Sequence, residues 1–289
     1  MNRLKTYLSF VRFSHSVFAL PFALTGALLA VHRAGGWDAR IVAWRVLWIV
    51  IAMVAARSAA MGFNRLADAR HDALNPRTAS RELPRGAMTS GEARLFVTIA
   101  SVVFVVSAWM LSQLCFVLSP VALAIVFWYS LAKRYTHFTQ LFLGLAMAVA
   151  PVGGWLAAGG PFFAAEPWLL AAAIGTWVGG FDVLYACQDL DFDRAHGLRS
   201  IPVKFGVRRS LTISRAMHVI AVGCLFALGG VADLGRVYVG GVIAVAVLLA
   251  YEQSLVSERD LSQVKRAFDL NGYVGLLYLA ATAAAVYVR

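Results

Sequence analysis

Residues 41–72 of the chain read IVAWRVLWIVIAMVAARSAAMGFNRLADARHD. The part up to residue 63 is predominantly apolar and long enough to cross a bilayer, which takes about 20 helical residues. It runs directly into Asn64, Asp68 and Asp72, which we call the first patch; their spacing of four places them on one face of a continuing helix. Because a carboxylate costs roughly 2.5–3.5 kcal/mol at the centre of a membrane helix, acidic residues at the end of one indicate a function.

The composition indicates a polytopic membrane protein. Of the 289 residues, 60% are hydrophobic and only 14% are charged, whereas soluble domains have about 25% charged residues. The apolar stretches that could cross the membrane are residues 13–32, 41–63, 95–115, 117–132, 141–160, 166–187, 211–231, 236–252 and 271–288. We therefore predict an all-α protein with about nine transmembrane helices.

The basic residues are concentrated on one side of the membrane. With nine helices, the amino terminus and the loops after the second, fourth, sixth and eighth spans share one side, which holds 19 of the 26 Lys and Arg residues. The positive-inside rule makes this side cytoplasmic. The net charge of +11 is thus explained by topology and by contact with membrane lipid, and we expect no nucleic-acid partner. The three cysteines show no metal-ligand spacing.

A second acidic patch follows the sixth span, on the same side as the first. Asp189, Asp191 and Asp193 form this second patch, and we predict that each patch lies on a helical extension of its span. We expect Asn75-Pro76 to end the first extension, because the residue before a proline avoids the α conformation.

Two opposed groups of carboxylates suit a metal and a diphosphate. Mg²⁺ prefers oxygen ligands and typically binds one or two carboxylates together with phosphate oxygens. Facing each other across a cavity, the two patches could hold Mg²⁺ ions that bridge a diphosphate and neutralise it as a leaving group. The alternative is that these carboxylates are only solvated at the membrane interface.

Basic residues near the patches could bind phosphate oxygens. Arg77 and Arg81 lie just beyond the first patch, and Lys133-Arg134 follows the fourth span on the same side. An arginine guanidinium matches phosphate geometry in a bidentate manner, and a lysine supplies a point charge.

Two charged residues lie inside the membrane spans. Arg57 precedes Asn64 by seven residues and so lies two turns deeper on the same helix face. Asp182 stands in the same relation to Asp189, and a shift of 125 residues superposes the two halves at these positions. Arg57 and Asp182 could pair with each other, or Arg57 could bind a carboxylate or hydroxyl of an acceptor beneath the diphosphate. Asp182 and Tyr185 would line the same pocket.

The two patches and their surroundings resemble the signatures of the UbiA superfamily of intramembrane prenyltransferases. Residues 64–81 contain the pattern N-R-x-x-D-x-x-x-D-x-x-N-x-R-T-x-x-R, and residues 185–193 read YACQDLDFD. Residues 133–137 resemble the corresponding loop of 4-hydroxybenzoate polyprenyltransferases. One position departs from the pattern, because Arg65 stands where some members have Asp.

The resemblance implies a single membrane domain over residues 1–289, with a ring of nine helices around a central cavity and cytoplasmic cap loops at about 64–94 and 188–210. It also implies an enzyme that uses Mg²⁺ to transfer a polyprenyl chain from its diphosphate to an aromatic ring. The implied metal ligands are Asn64, Asp68, Asp72, Asp189 and Asp193. The implied catalytic residues are the four aspartates and Arg57; the diphosphate would be bound by Asn64, Arg77, Arg81, Lys133 and Arg134, and the acceptor by Arg57, Asp182 and Tyr185.

The resemblance favours 4-hydroxybenzoate, the acceptor in ubiquinone biosynthesis. A hydroxynaphthoate, as in menaquinone biosynthesis, is the alternative, because it is also an aromatic carboxylate and would suit Arg57 equally. A membrane transporter is an alternative of a different class, since duplicated halves with buried charges are common in transporters. The expected location is the bacterial inner membrane, with the mouth of the site facing the cytoplasm.

Overall fold

The computed structural model describes residues 3–11, 19–36 and 39–288, and in these ranges the chain forms helices and no β-strand. In chain order the α-helices are α1 Arg3–Phe10, α2 Leu20–Arg33, α3 Ala39–Leu74, α4 Ser90–Leu111, α5 Gln113–Ala132, α6 Thr139–Ala157, α7 Ala165–Ala186, α8 Leu190–Ala195, α9 Ile201–Val231, α10 Gly235–Ser254 and α11 Val264–Tyr287. The predicted all-α fold is confirmed.

Within the described ranges, eight helical stretches are long and apolar enough to cross a membrane: α3 to α6, α7 together with α8, and α9 to α11. A ninth apolar helix, α2, is shorter. These nine stretches correspond one to one with the predicted spans, although residues 13–18 of the first span lie outside the described residues. The chain is therefore an integral membrane protein.

Local capping signals determine where several helices begin. Thr89 precedes α4 and forms a capping box with Glu92, in which each side chain binds the backbone N–H of the other residue. Ser112 lies between α4 and α5 with an extended backbone, and its hydroxyl accepts a hydrogen bond from the Cys115 N–H. Ser200 caps α9 in the same way. These polar residues determine the first residue of each of the three helices.

Helices α2 to α7 and α9 to α11 form a closed ring. Each helix from α3 to α7 packs against the next, α7 packs against α9, and α9 to α11 continue the series. Helix α11 then contacts α2, which returns to α3. The ring encloses a cavity of about 1380 Å³, which we call the chamber. The ring of helices around a central cavity that the resemblance implied is thus observed.

Small residues bring α2 and α6 into close contact inside this ring. A Cβ atom on Gly154 of α6 would lie only 1.9 Å from the carbonyl oxygen of Ala23 in α2. Such positions are typical of membrane helices, whose association depends on close van der Waals contact. Beside this crossing, the rings of Phe22 and Trp177 pack edge to face with their centroids 5.3 Å apart. On this side of the ring, α2, α6 and α7 are therefore closely packed.

The two patches differ in local structure. The first patch lies on α3, which ends at Leu74 immediately before Asn75-Pro76, as predicted. The second patch also lies on a helical extension of its span, as predicted, but the extension is not a regular α-helix: α7 ends at Ala186, and a 3₁₀ turn, Cys187–Asp189, leads directly into α8. Carboxylates are unfavourable at the negative end of a helix dipole and favourable in a first turn. The Asp-rich sequence therefore ends one helix and begins another.

The segments that cap the patches also differ from the prediction. The first cap loop, residues 75–89, joins α3 to α4 without regular helix. The second predicted loop, 188–210, is mostly helical, because α8 and α9 occupy most of it. Only residues 196–200 separate these helices, and Gly206, with a φ of +75°, interrupts α9 near its start. The segment is polar because α8 and the first turns of α9 precede the apolar part of α9, and not because it is an irregular loop.

Candidate active site

The chamber is apolar along most of its length and charged at one end. Its walls come mainly from α3 and α5 to α7, with contributions from α2, α4, α9 and α11. The charged residues of the lining are Arg57, Arg65, Arg77, Arg81, Asp182 and Asp269. All of them lie toward the end that carries the two patches, which we call the mouth. The cavity volume exceeds the 300–1,000 Å³ that is usual for small-ligand sites, so the chamber can hold a long apolar ligand with a charged head.

Asp68 of the first patch is buried beside a lysine from another helix. Its side chain is 6% exposed, and the Nζ atom of Lys133, at the end of α5, lies 2.7 Å from its Oδ2 atom. The amide of Asn64 donates to the same oxygen at 3.4 Å. The other oxygen, Oδ1, is buried and has no hydrogen-bond partner in the described part of the chain. One buried carboxylate oxygen of the first patch is thus left without a hydrogen-bond partner among the described residues.

Asp72 holds the first cap loop against α3. The Nη1 atom of Arg81 lies 2.8 Å from both carboxylate oxygens of Asp72. The hydroxyl of Thr78 donates to the Asp72 backbone carbonyl at 3.0 Å, which satisfies one of the free carbonyls at the end of the helix. The cap loop is therefore attached to the last turns of α3 through both the backbone and the side chain of Asp72.

Arg77 connects the first cap loop to the second patch. Its Nη2 atom lies 2.7 Å from Asp189 Oδ2, and its Nη1 atom donates to the hydroxyl of Tyr185 at 3.2 Å. Asp193 lies within electrostatic reach of Asp189, Arg77 and Lys133. The structure thus brings the two patches to one mouth, with basic residues between them.

The carboxylates of the two patches do not form one compact cluster. Within the described ranges, no three side chains of Asp, Glu, His or Cys come close enough to hold a metal ion together. Asp191 is exposed on α8. The described lining of the chamber includes Asn64, Arg77 and Arg81, but not Arg134, Lys133 or the four aspartates of the patches that were predicted as metal ligands. The guanidinium of Arg134 donates to the backbone carbonyl of Ala67 on α3. The two patches are connected instead through a basic residue, Arg77 of the first cap loop, which contacts Asp189.

The buried charges lie deeper in the chamber. Arg57 and Asp182 both belong to its lining, but no ion pair joins them among the described residues. The Nε atom of Arg57 is buried without a hydrogen-bond partner in the same part of the chain. The alternative in which these two residues pair with each other is therefore not observed.

Tyr129 is a residue of this site that the sequence reasoning missed. It lies on α5, belongs to the lining, and is within electrostatic reach of Arg57, Asp182 and Asp68. A signal was available, because Tyr129 precedes Lys133 by four residues and so shares its helix face. The side chain therefore lies near both the first patch and the buried charges.

An aromatic wall from α7 and α11 completes the mouth. The ring of Phe268 lies 4.9 Å from that of Tyr185 and 5.4 Å from that of Phe181, measured between centroids. All three residues line the chamber. Phe268 was also missed, since its position on α11 gives no periodic signal that relates it to the patches. The aromatic faces provide a site where a positive charge could be stabilised.

Comparisons with known proteins agree with this geometry. The model of the UbiA prenyltransferase family matches residues 19–280. The 4-hydroxybenzoate octaprenyltransferase of Vibrio parahaemolyticus is 33% identical over 251 residues, which cover 86% of this chain and 85% of the relative. The protein of the same name from Aliivibrio fischeri is 32% identical over 246 residues, covering 84% and 85%.

Solved structures show the same arrangement of helices. The apo structure of a UbiA homolog from Aeropyrum pernix K1 has a TM-score of 0.84 and 34% identity, covering 94% of this chain and 98% of that one. A UbiA homolog from Archaeoglobus fulgidus bound to GPP and Mg²⁺ has a TM-score of 0.75 at 18% identity, covering 97% and 99%. The second likeness concerns the fold alone.

Proposed function

Because this chain belongs to the UbiA prenyltransferase family and is an aromatic prenyltransferase, we propose that it transfers a polyprenyl chain from a polyprenyl diphosphate to 4-hydroxybenzoate. The observation that carries the proposal is the apolar chamber of about 1380 Å³ with its charged residues at one end. A polyprenyl diphosphate has the same division between a long apolar chain and a charged head. Because the chain belongs to an enzyme family, we no longer consider that it is a transporter.

We propose Mg²⁺ as the cofactor, and the donor set fits it. Asp68 offers a buried carboxylate oxygen without a hydrogen-bond partner in the described ranges. Mg²⁺ binds one or two carboxylates and completes its shell with water and phosphate oxygens, so separate groups of acids suit it better than one closed cage. The residues that would hold it are Asn64, Asp68, Asp72, Asp189 and Asp193. When bound, Mg²⁺ would neutralise negative charge on the diphosphate as it leaves.

The basic residues of the mouth would bind the diphosphate. Arg77, Arg81 and Lys133 each contact a carboxylate of the patches at 2.7–2.8 Å. Charge-assisted hydrogen bonds to phosphate are strong, and arginine can form two of them at once, so we expect these cations to exchange partners when the diphosphate enters. Arg134, whose guanidinium lies against the carbonyl of Ala67 beside Asp68, would add positive charge at the rim.

The acceptor would lie deeper, between the diphosphate and the buried charges. Arg57 would bind the acceptor carboxylate, which compensates a charge that no acidic residue pairs with in the described structure. Asp182, Tyr129 and Tyr185 would contact the ring and its hydroxyl. As the carbon–oxygen bond of the allylic diphosphate breaks, positive charge develops on the prenyl carbon, and the aromatic wall would stabilise it and exclude water. The phenol ring carbon then bonds to that carbon and loses its proton.

The relatives named 4-hydroxybenzoate octaprenyltransferase favour 4-hydroxybenzoate and ubiquinone biosynthesis. A hydroxynaphthoate in menaquinone biosynthesis remains the second candidate, since the carboxylate that Arg57 would bind is common to both acceptors. In line with the positive-inside rule, we propose that the mouth faces the cytoplasm from the bacterial inner membrane.

The test uses protein purified in detergent, octaprenyl diphosphate, Mg²⁺, and either labelled 4-hydroxybenzoate or a labelled hydroxynaphthoate. We expect a prenylated 4-hydroxybenzoate that mass spectrometry detects, and its formation should stop when EDTA removes the metal. Product from the naphthoate alone would replace the first acceptor with the second. Unchanged turnover in EDTA would contradict the metal assignment.

A further inference from the structure

Arg65, the position that departs from the family pattern, forms a buried ion pair with the first cap loop. Its Nη1 atom lies 3.7 Å from Glu82 Oε2, and the two side chains are only 5% and 6% exposed. The other carboxylate oxygen of Glu82 accepts a hydrogen bond from the hydroxyl of Ser9 at 2.6 Å. Glu82, which lies in the first cap loop, therefore connects that loop to α3 and to α1. We call the three residues Ser9, Arg65 and Glu82 the joint.

The spacing of the charges gives the joint a defined register. Arg65 and Asp72 are seven residues apart on α3, so they share one face of the helix. Arg81 and Glu82, their partners, are neighbours in the cap loop. On α3 the positive Arg65 faces the negative Glu82 of the loop, and the negative Asp72 faces the positive Arg81. A loop shifted along α3 would place like charges together, which makes this arrangement specific for one position.

Helix α1 covers the outer side of the joint. Phe10 and Val11 pack in an apolar cluster with Met88 of the cap loop and Ala93 of α4. The ring of Tyr7 stacks on that of Phe96 with centroids 5.6 Å apart. The amino-terminal helix therefore holds the cap loop by apolar contact as well as by the Ser9 hydrogen bond.

We propose that Glu82 is a positioning residue for the diphosphate site. The inference rests on the proposed function, in which Arg81 leaves Asp72 to bind phosphate oxygens. During that exchange the loop loses one of its two ion pairs with α3, and the pair of Glu82 with Arg65, together with the hydrogen bond from Thr78 to the Asp72 carbonyl, keeps the loop in place. The carboxylate of Glu82 contacts Arg65 and Ser9, whereas the ion pairs of Arg77 and Arg81 are with Asp189 and Asp72, so Glu82 does not occupy the two cations that would bind the diphosphate.

The first test separates substrate binding from turnover. Replacing the carboxylate in Glu82→Gln should raise KM for the polyprenyl diphosphate about tenfold, with little change in kcat or in KM for the acceptor, because only the placement of the loop is altered. Glu82→Asp should recover part of the loss, because it restores the charge. Glu258→Gln, an exposed carboxylate in another loop, is the matched control and should behave as wild type. A diphosphate KM in Glu82→Gln equal to that of the control would overturn the proposal.

The second test does not depend on catalysis. Trypsin can cleave the first cap loop after Arg77, Arg81 and Arg85, and we expect cleavage in the Glu82→Gln variant to be about tenfold faster than in wild type. Equal cleavage rates would overturn the proposal, whereas absence of product from wild type would contradict only the proposed function. If Glu82→Gln is not recovered in folded form, Ser9→Ala removes only one arm of the joint and is assessed by the same two measurements.

Discussion

Asp68→Asn tests the proposed metal site with a change that preserves side-chain shape. The substitution removes the negative charge that Lys133 contacts at 2.7 Å, and it keeps an oxygen that can still accept a hydrogen bond. Breaking a fully buried ion pair costs about 3–5 kcal/mol. Here the Lys133 side chain is 26% exposed and can turn toward water, so we expect a smaller loss of stability, about 1–2 kcal/mol.

The expected loss of activity is larger than the loss of stability. Removing a ligand of the leaving-group site should cost at least about 4 kcal/mol of transition-state stabilisation, or roughly a thousandfold in kcat. Prenyl transfer and a denaturation midpoint are measured on the same preparation, together with the Mg²⁺ concentration that gives half-maximal rate. Asp233→Asn is the matched control, because Asp233 is an exposed aspartate between α9 and α10 and belongs to neither patch. Asparagine also tolerates the positive φ of 49° at this position. Activity within tenfold of wild type in folded Asp68→Asn protein would refute the reasoning.

Three further substitutions test the acceptor pocket and the fold. Arg57→Gln should raise KM for 4-hydroxybenzoate at least tenfold and leave KM for the diphosphate unchanged; wild type should discriminate against 4-hydroxybenzamide, and a variant that still discriminates equally would contradict the role of Arg57. Tyr129→Phe should lower kcat/KM for the acceptor about tenfold without altering stability, measured by steady-state kinetics and thermal denaturation, and an unchanged acceptor kcat/KM would remove Tyr129 from the site. Gly154→Val should prevent recovery of folded protein in detergent, because its Cβ would lie 1.9 Å from a backbone oxygen of α2. The control Gly223→Val should be recovered normally, because a Cβ there has no neighbour within 4 Å. A normal yield of Gly154→Val would contradict the α2–α6 contact.

The sequence predicted most of the fold because the relevant signals are local. Hydropathy located the nine helices, and the four-residue spacing of the first patch placed it on α3. The second patch has an equally regular spacing but a less regular helix, because carboxylates that follow α7 are unfavourable at its negative end and favourable in the first turn of α8. The spacing of residues shows which side chains share a helix face. It does not show where unfavourable charges end the helix.

The contacts that assemble the mouth could not be predicted in the same way. Arg77 and Asp189 are 112 residues apart, and Lys133 and Asp68 are 65 residues apart. No local pattern specifies which cation meets which carboxylate, since several basic residues border both patches. The choice is made by the packing of α3, α5 and α7 around the chamber, which is a property of the whole ring.

The pairing of acids with bases explains how the mouth can be stable by itself and still bind a highly charged ligand. Carboxylates facing one another at a membrane boundary would repel, yet Asp68, Asp72 and Asp189 each contact a Lys or Arg. In the proposed reaction a metal and a diphosphate enter together, and the same acids and bases exchange partners without leaving a buried charge uncompensated. Arg57 has no such acidic partner in the described structure. Its charge therefore favours an anionic acceptor, and both candidate acceptors meet that requirement through their carboxylates.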